Sequence, residues 1–502
     1  MVTGAVVIGS GFGGLCAAFR LQAAGIQTTL LERRSTVGGK ARNVAVAGGE
    51  VPGGPTVLTL RWVFDELFAS VGQRLEDHVH ITPLEKLAHY RWSADERLDV
   101  YHDVERTAEA IKAFAGQTEA DGYRRFVADS ARIFGIIEKT FIRAPKPDIV
   151  AIARAVGPLG ARTIKPFDTM WSALGRHFRD QRLKQLFGRF ATYCGSSPFA
   201  VPATLMLLAH AEQSGVFAVE GGTAGLASAI AGEFQRMGGE LRTGVGAKEI
   251  AVRNGVVQAV ELDGGSSVPA ELVIFCGDPS AMASGHLGRR VATAAPFMAP
   301  KQRSLSAVTL CGTLGVAEPL GHHTVAFGAN YKGEFDALFQ RRSMPSDPTI
   351  YICAPHEVMA DGAQQRVLIV MNAPANGDQH NYGQEDIAQC QEQAMAALSR
   401  CGLGHSLSNC VVATPNDFAD LAPATGGAIY GRVSHGWTAS FQRPIARTKV
   451  RGLYLAGGSV HPGPGMPMAA LSGQMAAQYA LTDFAFSLPS RQPATFGGIS
   501  TA

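Results

Sequence analysis

Residues 5–32 read AVVIGSGFGGLCAAFRLQAAGIQTTLLE. The wholly apolar AVVI has the pattern of a strand buried on both faces. Gly9, Gly11 and Gly14 follow in the spacing G-x-G-x-x-G, with Gly13 beside them, and open a stretch of helical periodicity. QTTLLE returns as a second strand that ends on Glu32. Each residue type has a physical reason to stand where it does. The first glycine permits a tight turn, the second lets backbone approach a pyrophosphate, and the third lets helix and sheet pack closely. Unpaired N–H groups and the helix dipole then favour negative charge at the helix N-terminus. An acidic residue about 20 positions on reaches ribose hydroxyls. The stretch predicts a βαβ unit that binds a dinucleotide, and by itself leaves nicotinamide and flavin dinucleotides both open.

One loop further on, Gly38-Gly39-Lys40-Ala41-Arg42 sets a glycine pair beside two basic residues. At the other end, residues 452–477 read GLYLAGGSVHPGPGMPMAALSGQMAA: a short apolar strand, a turn at Gly457-Gly458, and a helix. With five residues between Glu32 and Gly38-Gly39, the sequence resembles the superfamily of flavin-dependent amine oxidases and carotenoid desaturases. The resemblance implies FAD, held by both ends of the chain. It assigns the cofactor to Gly38, Gly39, Lys40 and Arg42, to Gly457, Gly458, Pro467 and Met468, and to Gly54, Pro55, Thr56 and Val245, in addition to Gly9, Gly11, Gly13, Gly14 and Glu32. Small residues admit the cofactor, and helix N–H groups can stabilise electron density on a reduced flavin ring.

The 502 residues can bury two or three cores. The composition is globular: 46% hydrophobic, 17% charged, with 58 glycines. A net charge of +3 without a dense basic block argues against nucleic acid. Eight scattered cysteines without a CxxC pair read as small buried hydrophobes in a reducing cytoplasm, with no metal site. The longest apolar candidate, residues 199–211, is too short to span a bilayer and is interrupted by prolines and His210.

The chain therefore reads as α/β: a discontinuous Rossmann-like FAD domain, a mixed-sheet substrate domain and a helical subdomain. The expected boundaries are residues 1–65 with 216–285 and 445–488 for the FAD domain, 66–215 for the helical subdomain, 286–444 for the substrate domain, and 489–502 for a flexible tail. Residues from Arg61 to Ala211 read as mainly helical. Within them IFGIIEKTFIRAPKPDIVAIARAVGPLGARTIKPF (residues 133–167) mixes apolar and basic residues with prolines. Two readings stand: an internal helical edge, or a surface that dips into a membrane, apolar side down.

Finer resemblance points to bacterial carotenoid desaturases of the phytoene desaturase type. GPTVLT (54–59), VEGGTAGLASAIA (219–231), HHTVAFGANYKGEFDALF (322–339) and YICAP (351–355) carry it. RWVFDELF (61–68), RAPKPD (143–148) and GGSVHPGPGMPMAALSG (457–473) look most like the hydroxyneurosporene desaturases of purple bacteria, the 1-hydroxycarotenoid 3,4-desaturases. Pro52 departs from the acidic residue those relatives commonly carry there. The resemblance implies C-3,4 desaturation of 1-hydroxy or 1-methoxy C40 carotenoids of spheroidene or spirilloxanthin type, by hydride transfer to flavin N5. Reoxidation by oxygen or quinone is implied, and so is a cytoplasmic enzyme peripheral to the cytoplasmic or intracytoplasmic membrane, a setting in photosynthesis included. Arg143, Asp148 and His461 are the side chains offered for catalysis, each with a structural role as the competing reading. Phytoene or neurosporene desaturation, amine oxidation and a non-enzymatic prenyl-lipid escort remain as alternatives.

Overall fold

The computed structural model describes residues 4–355, 358–359 and 363–485, without the side chains of 151, 155, 158–163 and 485. The expected tail, 489–502, lies outside the described residues. Strand β1 (Ala5–Ile8) occupies the centre of a five-stranded parallel sheet. On one side it pairs with β2 (Thr28–Glu32), which pairs in turn with Glu240–Thr243. On the other side it pairs with Leu272–Phe275, and that strand with Leu453–Leu455. A parallel sheet survives only with both faces covered, and the alternating side chains sort accordingly. Ala5, Val7, Leu30 and Ile274 join a core with Leu15 and Phe19 of α1 (Phe12–Ala23) and with Ala476 and Ala480 of the last helix. Val6, Ile8, Leu31 and Val273 pack on the other face against Ile250, Val257 and Val260 of a three-stranded antiparallel sheet.

This strand order has a direct consequence for the two chain ends. Leu453–Leu455 runs parallel to β1 only one strand away, so the turn that follows it emerges at the same sheet edge as the glycine loop after β1. Ligands of open α/β sheets bind at that edge, beyond the carboxyl ends of the strands.

The second sheet has seven strands, in the order Ser406–Ala413, Ser306–Gly315, Gln364–Ala373, Ile350–Cys353, His323–Ala326, Lys86–Arg91 and Arg97–Tyr101. It is mixed, because His323–Ala326 runs parallel to Lys86–Arg91 while the other neighbours are antiparallel. The last two strands differ from the helical reading of residues 61–211. RLDVY buries alternate side chains, while KLAHYR buries Leu87 and Ala88 in succession at a register irregularity, so the period of two is short and broken and the long helical stretches nearby overshadow it.

The helical part includes Val104–Ala115, Gln117–Ile137 and Gln181–Gly188. Phe126, Phe178 and Phe187 pack against one another, with ring centroids 4.7–5.5 Å apart. Among the described residues no helix is long and apolar enough to cross a membrane. Residues 133–167 split in character. Phe134, Phe141 and Ile142 are buried, whereas Ile149, Val150 and Phe167 are exposed, and Phe167 (79% exposed) touches Trp437 at 5.5 Å between rings. All eight cysteines are free thiols, six of them buried.

Candidate functional site

The two glycine turns meet. A Cβ placed on Gly13 would lie 2.8 Å from Cα of Gly457, and one on Gly14 would lie 1.8 Å from the Gly9 carbonyl oxygen. Both distances are shorter than real Cβ contacts, so these positions require glycine for close approach. A Cβ on Gly11 behaves differently: it meets no protein atom within 4 Å. Gly11 faces a cavity of about 770 Å³ that runs between the two sheets. Space left open at the middle glycine, with its neighbours jammed against backbone, is what a cradle for a pyrophosphate requires.

The other elements of the grip surround this opening. Gly38 donates its N–H to the Ser10 carbonyl at 2.9 Å, which folds the second glycine pair over the first loop. The buried Glu32 carboxylate accepts from Ser10 N–H (2.9 Å), Ser10 Oγ (2.6 Å) and Arg34 N–H (2.9 Å) at the cavity wall. Val245 donates its N–H to the Glu32 carbonyl and lines the same wall. Gly54, Pro55 and Thr56 line it too, and Thr56 is fixed by a 2.5 Å hydrogen bond with the Tyr351 hydroxyl. Gly457, Gly458, Pro467 and Met468 border it from the C-terminal side, where helix Met466–Ala485 begins.

Lys40 and Arg42 part company. Lys40 lines the cavity, and its ammonium donates to the Ile429 carbonyl. Burial pulls its pKa below the ordinary lysine value, against the opposing pull of Asp278. A buried ammonium facing a cavity fits an anionic ligand. Arg42 is not among the lining residues; it lies over the Phe418 ring at 5.5 Å, with Nη1 buried and unpartnered among the described residues. Gly14 also stands back from the cavity, where it serves helix packing. Taken together, the donor set and the open cradle fit FAD.

The three side chains offered for catalysis stand outside the cavity. Arg143 pairs with Glu66 (3.1 Å) and Glu138 (3.0 Å) and covers the Trp62 ring. Asp148 accepts from Val150 N–H and caps helix Ile149–Ile164. His461 is buried against Phe141, and its Nε2 donates to the Ala144 carbonyl at 2.7 Å. These contacts tie segments together. His322, His323 and Cys353 bring ligand atoms within 4.8 Å of one another, but His323 Nδ1 is engaged by the Tyr351 hydroxyl at 2.7 Å.

Beyond the grip, the cavity wall is apolar, with Phe134, Ile142, Leu207, Leu208, Val325 and Phe335. Polar groups interrupt it, among them two that sequence reasoning missed. Arg189 is buried and donates to the hydroxyls of Tyr90 (2.7 Å) and Tyr193 (3.0 Å), with Glu212 3.8 Å away. Burial opposes its charge, but Tyr193, Tyr90 and Glu212 outweigh that and hold the guanidinium well above its ordinary pKa. The second is Glu334, bonded to Thr349. Neither carries a local signal, because a lone Arg or Glu in a helical pattern reads as a solvated face. Arg443 was missed as well: it donates to the carbonyls of Tyr430, Gly458 and Arg432, and so pins the C-terminal turn from behind.

The family model for flavin containing amine oxidoreductases matches residues 12–481. The chain belongs to this family. It is a flavin-dependent oxidoreductase that shares 42% identity over 506 residues with a hydroxyneurosporene desaturase of Rubrivivax gelatinosus, covering 99% of this chain and 96% of that one. A hydroxyneurosporene desaturase of Rhodobacter capsulatus is 41% identical over 491 residues, covering 96% of this chain and 98% of that one. Among solved structures, a putrescine oxidase aligns with a TM-score of 0.61 at 15% identity, covering 97% of this chain and 99% of that one. That likeness is one of fold. In this oxidoreductase the glycine loop after β1 meets the glycine turn at the far end of the chain, Gly13 against Gly457.

Proposed function

We propose that this oxidoreductase desaturates an acyclic C40 carotenoid with a tertiary hydroxyl or methoxyl at one end, introducing the C-3,4 double bond. The observation that carries this reading is the 41–42% identity, along nearly the whole length, to relatives named hydroxyneurosporene desaturases. The cavity supports it: large, continuous with the glycine cradle and mostly apolar. No side chain accepts a hydride, so bound FAD supplies the two-electron acceptor that removal of two hydrogens requires. The chain's share is to bind, orient and exclude water. Gly9, Gly11, Gly13, Glu32, Gly38, Gly39 and Lys40 would hold the adenosine and pyrophosphate end, with Val245 beside Glu32. Gly457, Gly458, Pro467 and Met468 would border the reacting end, and Thr56, fixed by Tyr351, would flank it. The apolar wall would align the polyene.

Photometric assay in liposomes tests the reading. The flavin bleaches anaerobically on addition of 1-hydroxyneurosporene, and chromatography recovers the 3,4-didehydro product. Conversion of phytoene alone would assign the protein to the alternative desaturation step. Reoxidation by oxygen or by a quinone is separated by repeating the assay with each acceptor.

A polyene about as long as a bilayer core is thick, ~30 Å, must enter from lipid. Exposed Ile149, Val150, Phe167 and Trp437 give the helical region an apolar surface suited to peripheral contact with the cytoplasmic or intracytoplasmic membrane. Phe167→Glu combined with Trp437→Glu is expected to lower co-flotation with anionic vesicles about tenfold while the flavin stays bound. Unchanged flotation would remove this surface from the membrane contact.

A further inference from the structure

We propose that Glu334 and Tyr331, supported by Thr349 and Asn372, form the station in the cavity that takes the hydroxyl at the end of the carotenoid. The inference rests on the proposed substrate class and gives it a place in this chain.

Both residues lie in the single helix Tyr331–Asp336 and both line the cavity. Glu334 is only 2% exposed. One carboxyl oxygen accepts from Thr349 Oγ at 2.6 Å, the Thr349 backbone also contributes, and the other oxygen has a long 3.4 Å contact from the Asn372 amide. Two carboxyl oxygens offer about four acceptor positions, so capacity remains. The Tyr331 hydroxyl is buried and has no hydrogen-bond partner among the described residues. An orphaned buried hydroxyl has given up its hydrogen bonds to water, and such a group calls for a partner that the protein itself does not supply.

The surroundings select the ligand's chemistry. Phe335, Phe327, Trp171 and Phe199 pack around the Tyr331 ring at centroid distances of 5.1–6.2 Å, a shell that suits hydrocarbon. A pure polyene has no use for a carboxyl and a phenol within such a shell, whereas a hydrocarbon ending in an alcohol does. An ammonium is the competing partner for a carboxylate. Burial pushes the Glu334 carboxyl up to about 7, despite hydrogen bonds from Thr349 and Asn372. The Arg189 guanidinium also acts on Tyr331 from within the same cavity. Both facts favour a neutral hydroxyl over a cation. The hydroxyl can donate to the free carboxyl position and accept from the Tyr331 O–H.

Binding is read without turnover, on flavin-loaded protein held reduced with dithionite in detergent micelles, by quenching of tryptophan fluorescence. The probes are 1-hydroxyneurosporene and neurosporene, which lacks the hydroxyl. Wild-type protein is expected to bind the hydroxylated probe at least about tenfold more tightly. Tyr331→Phe and Glu334→Leu bring that ratio close to unity without changing the affinity for neurosporene, and Glu334→Gln keeps most of it. Flavin content shows that each variant is folded; if Glu334→Leu loses flavin, Tyr331→Phe carries the test alone. No preference in wild type, a preference that survives in Tyr331→Phe, or an equal loss for both probes would overturn the station. A preference that the variants abolish, in a protein that desaturates neither probe, would uphold the station and sink the proposed reaction. Desaturation of the hydroxylated probe with no preference would do the reverse.

Discussion

Gly13→Val yields a protein that purifies without flavin. The Cβ alone meets Cα and N of Gly457 at 2.8 and 2.9 Å and the Ala469 carbonyl oxygen at 3.2 Å, and valine adds two methyls to that. The backbone on both sides is held firmly. Helix α1 and helix Met466–Ala485 touch at Gly473, whose own Cβ would lie 2.0 Å from the Gly13 oxygen. The Gly457 N–H is bonded to Ser472 Oγ at 3.2 Å. Relief must therefore come from separating the two glycine turns, which are the two halves of the cofactor grip. Overpacking of this kind costs about 1–3 kcal/mol, and the grip loses its geometry as well. Flavin absorbance per polypeptide after gel filtration is expected to fall by about tenfold or more. Gly11→Ala provides the contrast: its Cβ meets no protein atom, so the fold is kept and only cofactor affinity falls. Unchanged flavin content in Gly13→Val would mean that the two ends do not act as one site.

Arg189→Met is the substitution expected to destabilise the protein most. The guanidinium is buried between Tyr90, Tyr193 and Glu212, and Tyr193 in turn donates to Glu212 at 3.4 Å. Methionine fills similar volume but leaves the Glu212 carboxylate buried without its cation. Removing one partner of a buried pair costs about 3–5 kcal/mol, far more than the pair itself contributes, because the abandoned charge has lost water as well. Arg189→Lys keeps the charge but cannot reach two hydroxyls with one planar fork. Adding Glu212→Gln to Arg189→Met removes the abandoned charge and is expected to restore a large part of the loss. Urea denaturation of the flavin-loaded proteins compares all three variants with the wild type. An effect below about 1 kcal/mol for Arg189→Met, or no recovery in the double variant, would show that the cluster is not electrostatically coupled.

How much of this was legible beforehand depends on the range of the interaction. The βαβ unit was legible because its constraints are local: a glycine either fits a turn or does not, and strand and helix periods are written over a few residues. The strands Lys86–Arg91 and Arg97–Tyr101 were missed because a pattern of five or six residues, broken in the first strand, is too short to override helical neighbours. Their place is decided by pairing with His323–Ala326, more than 200 positions away in the chain. Arg143, Asp148 and His461 drew notice through charge and position within motifs, yet they serve an ion pair, a helix cap and a segment tie. Arg189 and Glu334 drew none, since polarity in a sequence does not reveal burial.

The expectation of a dinucleotide grip after β1 could be read from residue type at short range, in the turn, the helix start and Glu32. The sequence also marked Gly457-Gly458 as a second glycine turn. The resemblance implied that the two turns share a cofactor, but only the tertiary structure shows how residues more than 440 positions apart come into contact. Parallel pairing of Leu453–Leu455 with Leu272–Phe275 delivers the chain's end to the sheet edge where the chain began, and Gly13 meets Gly457 there at a distance that only hydrogen side chains allow.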